Sequence, residues 1–134
     1  MTAESNKRLV RDAFEALGRS DARPLTDLMR DDFTWIIEGQ GRFSRSYEGK
    51  EAVKRDLLDV LFQAFATPYC FTIDEIIAEG DSVVLLGRGE VKTKAGKHYN
   101  NSYCFVLRLE GGQLVELREY LDTALVERVF GAAG

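Results

Sequence analysis

The amino-acid sequence predicts an α+β fold, on two observations. In the N-terminal half apolar side chains recur at the three-to-four residue spacing of amphipathic helices. After Pro68 the spacing changes to the alternation of strands, interrupted by Gly80-Asp81, Ala95-Gly96-Lys97 and Glu110-Gly111-Gly112, which are hairpin joints. Helices followed by a run of strands favour helices packed on one face of a largely antiparallel sheet. The 134 residues suit one domain over residues 1–134, large enough to bury a core without disulfide staples.

In chain order, Leu9, Val10, Ala13, Phe14 and Leu17 mark a first helix, with Ser5 as N-cap and Gly18 as C-cap. A short second helix starts near Asp21 and carries Pro24 in its first turn, where a missing N–H costs nothing. Residues 33–37, aromatic and β-branched, form a strand that Glu38-Gly39-Gln40-Gly41 breaks. Gly49 precedes a third helix with Ala52, Val53, Leu57, Val60, Leu61 and Phe65 on its apolar side, and Pro68 ends it. Strands follow at 71–79, 83–92, 99–109 and 113–121 as an antiparallel meander. A short helix from Asp122 or Thr123 to Phe130 closes the chain, with Asp122 or Thr123 as its N-cap.

Composition narrows the function classes. Hydrophobic residues make up 45% and charged residues 30%, a globular balance. The net charge of −4 and the absence of a basic run argue against nucleic acid or an anionic membrane as partner. No apolar stretch approaches a membrane span and the N-terminus lacks a signal-peptide core, so a cytoplasmic location is expected. Cys70 and Cys104 sit in apolar contexts and read as isolated thiols, and His98 is the only histidine, in a turn-like stretch. Neither a metal nor an organic cofactor is expected.

Alternation assigns faces to the strands. Tyr99, Asn101, Tyr103, Phe105, Leu107 and Leu109 share one face, which grades from core into a polar Tyr/Asn rim. Val115, Leu117, Glu119 and Leu121 share another, apolar except for Glu119. A carboxylate there either pairs with a cation or lines a cavity. On residues 83–92, Val84, Leu86, Arg88 and Glu90 alternate with Val83, Leu85, Gly87, Gly89 and Val91. With the first set inward, Arg88 and Glu90 join Glu119 on one concave surface and the glycines face outward. Glu119 is then a candidate acid or base whose pKa burial raises, or one half of an ion pair with Arg88. Trp35 and Glu38, at the end of the first strand, are further candidates for the pocket wall and mouth.

Asp31-Asp32 before Phe33-Thr34-Trp35, Tyr47-Glu48-Gly49 ahead of the third helix, and the ending Arg118-Glu119-Tyr120-Leu121-Asp122-Thr123 resemble the SnoaL-like branch of the nuclear transport factor 2-like superfamily. Ketosteroid isomerase and limonene epoxide hydrolase belong to the same superfamily. The resemblance covers nearly the whole chain. It implies a cone-shaped, cystatin-like fold whose curved mixed or antiparallel sheet and three N-terminal helices enclose a pocket, and it implies a homodimer. Arg88-Gly89-Glu90, Arg118-Glu119-Tyr120 and Tyr99-Asn100 are similar to the site segments of limonene epoxide hydrolase, with Glu in place of Asp twice. By that comparison Glu119 and Glu90 are the acid–base pair and Arg88 bridges them. By comparison with ketosteroid isomerase, Glu38 takes the proton-shuttling position, and Phe105 occupies the place of an oxyanion-hole acid for which Tyr103 substitutes.

Two functions fit this reading. One is a cofactor-independent isomerase or a hydrolase or hydratase acting on a small apolar or amphipathic molecule. In it Glu119, Arg88 and Glu90 are catalytic, and Trp35, Glu38, Tyr99, Asn101 and Tyr103 bind the ligand. The other is a dimeric ligand-binding or accessory module that transforms nothing.

Overall fold

The computed structural model of the chain describes residues 2–132. Helix α1 (Ala3–Leu17) and the short α2 (Arg23–Leu28) lead into strand β1 (Met29–Ile37) and a three-residue β2 (Ser46–Glu48). Helix α3 (Lys50–Ala52) continues through a π-helical turn (Val53–Leu58) into α4 (Asp59–Ala64). Strands β3 (Cys70–Glu79), β4 (Ser82–Glu90), β5 (Ser102–Glu110) and β6 (Gln113–Leu121) follow, then helix α5 (Thr123–Phe130). Among the described residues, no helix is long and apolar enough to cross a membrane.

The six strands form one mixed sheet in the order β2-β1-β6-β5-β4-β3. From β3 to β6 every neighbour is antiparallel, as the hairpin joints require. The expected four-strand meander is therefore present. Strand β1 docks parallel to β6, with Trp35 opposite Leu117 and Ile37 opposite Glu119. No hairpin joins these two strands, so nothing in the chain imposes antiparallel pairing on them. Register shifts at Met29/Thr34, Ile73/Glu75 and Arg108/Leu109 bend the sheet around its concave face.

The helices cover that concave side. Phe14 of α1 is fully buried, its ring 5.4 Å from Phe71 and 5.2 Å from Phe105. Val10, Ala13 and Leu17 extend the same buried stripe. Thr2, not Ser5, is the N-cap of α1: its side chain accepts from the Ser5 N–H, and the Ser5 hydroxyl accepts from the Thr2 N–H. Gly18 does end α1, for a reason the sequence does not display. Its φ is an ordinary −65°, but a Cβ there would lie 2.6 Å from the Phe71 carbonyl oxygen. The glycine lets α1 approach the backbone of β3. At the other end, the Asp122 carboxylate accepts from the Ala124 and Leu125 N–H groups and caps α5.

Candidate functional site

Where the helices and the concave sheet face do not quite meet, a chamber remains. The sheet contributes Trp35, Phe105 and Glu119; the helical side contributes Phe14, Leu57 and Leu58. Leu61, Phe62 and Phe65 form the outer wall with Tyr69, Tyr99 and Tyr103. Its free space is about 60 Å³, the room of a handful of waters, and it is partly open to solvent. Glu119 is the only charged residue on this lining among the described residues.

Glu119 is 6% exposed. Its Oε1 accepts a hydrogen bond of 2.9 Å from the Trp35 indole Nε1. Among the described residues no other protein group hydrogen-bonds its carboxyl, and no cation pairs with it. Burial therefore pushes its pKa up to about 7, against the smaller lowering effect of the Trp35 hydrogen bond. The strand alternation that isolates Glu119 among Val115, Leu117 and Leu121 is thus also what tunes it. Trp35 in turn is fixed edge-on by Phe33 and Phe105.

Three phenols adjoin one another along the outer wall: Tyr69, Tyr103 and Tyr99. Burial raises all three pKa values, that of Tyr99 to about 12, so each hydroxyl is protonated at neutral pH and is able to donate. A charge on Glu119 raises them further, which places the carboxyl within electrostatic reach of the phenols.

The other sequence-derived candidates lie elsewhere. Asn101 is buried, but its carboxamide is committed to structure. Its Oδ1 accepts from the Asp122 and Ser102 N–H groups at 3.0 and 2.8 Å. Its Nδ2 donates to the Asp122 carbonyl and to the Tyr99 hydroxyl at 3.1 and 3.3 Å. Asn101 therefore clips the start of β5 to the end of β6 and steadies Tyr99. Glu38 is half-exposed and forms an ion pair with Arg118 outside the chamber.

Arg88 and Glu90 require a correction. Both stand on the outer face of β4, away from Glu119: Arg88 pairs with Asp74 at 2.8 Å, and Glu90 is exposed. The inward set on β4 is Val83, Leu85, Gly87 and Gly89, and Val91 just beyond the strand is buried as well. The two glycines face inward because the space above them is taken by aromatic rings. A Cβ on Gly87 would lie 2.3 Å from Phe71 Cζ, and one on Gly89 2.4 Å from the Tyr69 hydroxyl oxygen. An arginine-bridged carboxylate pair of the epoxide-hydrolase kind is therefore not assembled.

Tyr69, in the irregular stretch between α4 and β3, and Phe62, on α4, are lining residues that neither the strand alternation nor the helical apolar spacing singles out. Among the described residues, no three His, Cys, Asp or Glu side chains cluster to hold a metal ion.

The comparisons with known proteins agree with this architecture. Residues 10–117 match the family model of the SnoaL-like domain. An uncharacterized protein of Mycobacterium tuberculosis is 26% identical over 128 residues, which cover 95% of this chain and 97% of that one. The crystal structure of an NTF2-like protein of unknown function from Burkholderia pseudomallei superposes with a TM-score of 0.81 at 24% identity, over 95% of this chain and 98% of the other. A provisionally assigned SnoaL-like polyketide cyclase from Jannaschia gives 0.80 at 20% identity, over 98% and 95%. With the matched segment running from the first helix to the strand that carries the buried carboxyl, the chain belongs to the SnoaL-like family and has the nuclear transport factor 2-like fold.

Proposed function

We propose that this protein is a cofactor-independent acid–base catalyst that moves a proton on a small, mostly apolar carbonyl compound, as an isomerase or cyclase does. The observation that carries this reading is Glu119: buried, without a cationic partner, one oxygen tied to Trp35 and the residue open to an apolar chamber. A pKa of about 7 makes both of its protonation states available near neutral pH. As carboxylate, Glu119 takes a proton from the carbon next to the carbonyl, and the C–H electron pair flows onto the carbonyl oxygen. A neighbouring phenol, Tyr103 or Tyr99, stabilises that oxyanion by hydrogen bonding. Glu119 then returns the proton at another carbon, or the enolate carbon attacks a second carbonyl and closes a ring, the C=O π pair moving onto oxygen and the resulting alkoxide taking the proton back from Glu119. The Jannaschia relative's cyclase assignment is compatible with the same proton transfer. Hydrolysis by a carboxylate pair is disfavoured, since Glu90 and Arg88 are on the other side of the sheet.

The test is deuterium incorporation from D2O into a panel of enolisable aryl ketones and cyclic diketones, followed by NMR. Incorporation by the native protein that Glu119→Gln abolishes supports the reading. Ligands that bind without exchanging in either protein would make it a binding module instead.

We also propose a homodimer through the outer sheet face. Leu86, Cys104 and Tyr120 form one row across β4, β5 and β6, and Ile77, Val84 and Val106 form the next across β3, β4 and β5. Leu86, Tyr120 and Ile77 are 36%, 47% and 52% exposed, a contiguous apolar patch on an antiparallel surface. Of the charges beside it, Arg88 pairs with Asp74 and Arg118 with Glu38, while Glu75 stands opposite Leu86 at the end of the first row. Leu86→Glu is expected to convert a dimer to a monomer in light scattering at micromolar concentration. A native protein that is already monomeric there removes the proposal.

A further inference from the structure

A second hollow adjoins the chamber from outside. It is a cleft of about 370 Å³ between α2 and the π-turn–α4 segment, lined by Ser20, Asp21, Arg23, Thr26, Lys54 and Asp59. Leu58 and Phe62 line both spaces, so those two side chains are the partition between them. We propose that the cleft holds an ionised carboxylate at the far end of the substrate through Lys54, making the substrate an amphipathic acid whose apolar end occupies the chamber. This rests on the reading of the chamber as a substrate site.

The chain geometry supports it. In the π-helical turn the Asp59 N–H reaches back five residues to the Lys54 carbonyl, so the turn is wider than an α-turn. It puts the adjacent residues Leu57 and Leu58 both on the chamber while Lys54 lines the cleft. Such single π-turns recur at functional sites.

Charge supports it as well. Asp21 is neutralised by Arg23, at 3.1 Å. Asp59 is exposed, where solvent and salt screen it. Lys54 is half-buried and, like Asp59, has no ion-pair partner among the described residues, so it is the cation in this cleft that is free to meet a ligand carboxylate, in competition with Asp59. One apolar compartment and one polar compartment that offers Lys54, separated by Leu58 and Phe62, match a molecule with an aromatic or alkyl head and an acidic tail.

The experiment compares 6-phenylhexanoate with 6-phenylhexan-1-ol, which differ in the charged end alone. Trp35 is the single tryptophan and lies on the chamber wall, so its fluorescence reports occupancy. In the native protein the acid is expected to bind about tenfold more tightly than the alcohol, an advantage that shrinks as salt is raised. Lys54→Glu is expected to abolish that advantage and leave alcohol binding within about twofold, whereas Asp59→Asn strengthens binding of the acid. Lys54 is not part of the buried core, and melting curves of the variants check that they are folded. Equal binding of acid and alcohol by the native protein, or equal losses in Lys54→Glu, overturns the proposal while leaving the chamber reading intact. Failure of both probes to perturb Trp35 overturns the proposal and the chamber reading together.

Discussion

Glu119→Gln is expected to lower turnover by roughly 10²- to 10⁴-fold, the usual worth of a positioned acid or base, and at the same time to stabilise the protein above neutral pH. The two effects share one cause. Gln keeps the shape and an oxygen that accepts from the Trp35 indole N–H, but it neither ionises nor shuttles a proton. In the native protein the carboxyl pKa moves from its ordinary 4.5 to about 7 on folding, chiefly because burial penalises the charged form. The folded state thus holds this proton more tightly than the unfolded chain. Stability from the group is fully present below pH 4.5 and is lost as pH climbs through 7. A shift of this size corresponds to about 3 kcal/mol once Glu119 is ionised. Urea unfolding as a function of pH should therefore show the native protein weakening between about pH 5 and 8 and the Gln variant not sharing that decline. A Gln variant that is no more stable than native at pH 8 would mean that the carboxylate is solvated or paired, and the acid–base role would lose its basis.

The concave face was legible along β5 and β6 because alternation picks out one apolar face over most of each strand, up to the register shift that buries both Leu114 and Val115. Tyr99, Phe105 and Leu107 are buried on the same side as expected, and Glu119 stands alone among Leu114, Val115 and Leu117. On β4 the signal fails. Val83 and Leu85 compete with Val84 and Leu86, so apolar character does not choose a face. The tie is broken by neighbours that lie far off in sequence: Phe71 and Tyr69 overlie Gly87 and Gly89, and the bulge at Asp74 offers Arg88 a partner on the outside. The glycines, expected to face outward, face inward because their missing side chains make room for two aromatic rings of the same chain. The parallel β1–β6 contact and the π-turn were equally out of reach, since a chain contact without a hairpin leaves no local signature, and a five-residue hydrogen bond does not alter residue type.

Those glycines yield the second large effect. Gly87→Ala is expected to destabilise the protein by about 3 kcal/mol, at the upper end of overpacking costs. The new methyl would lie 2.3 and 2.6 Å from two ring carbons of Phe71 and 2.8 Å from the Thr72 carbonyl oxygen. The backbone oxygen belongs to the paired strand and cannot retreat without breaking the β3–β4 ladder. The ring has no room either, because Phe71 packs against Phe14, Tyr69, Tyr103 and Phe105. Gly89→Ala meets a softer obstacle, the hydroxyl end of Tyr69 at 2.4 Å, which lines the chamber and can swing. Its cost falls on the phenol cluster and ligand affinity more than on stability. A double-mutant cycle separates ring from backbone: Phe71→Leu shortens the side chain over Gly87, so Gly87→Ala should cost less in that background by about 1 kcal/mol or more. If the penalty of Gly87→Ala is unchanged by Phe71→Leu, the Thr72 carbonyl rather than the aromatic ring is what demands glycine. The inward face of β4 would then be set by the ladder and not by the chamber's aromatic wall.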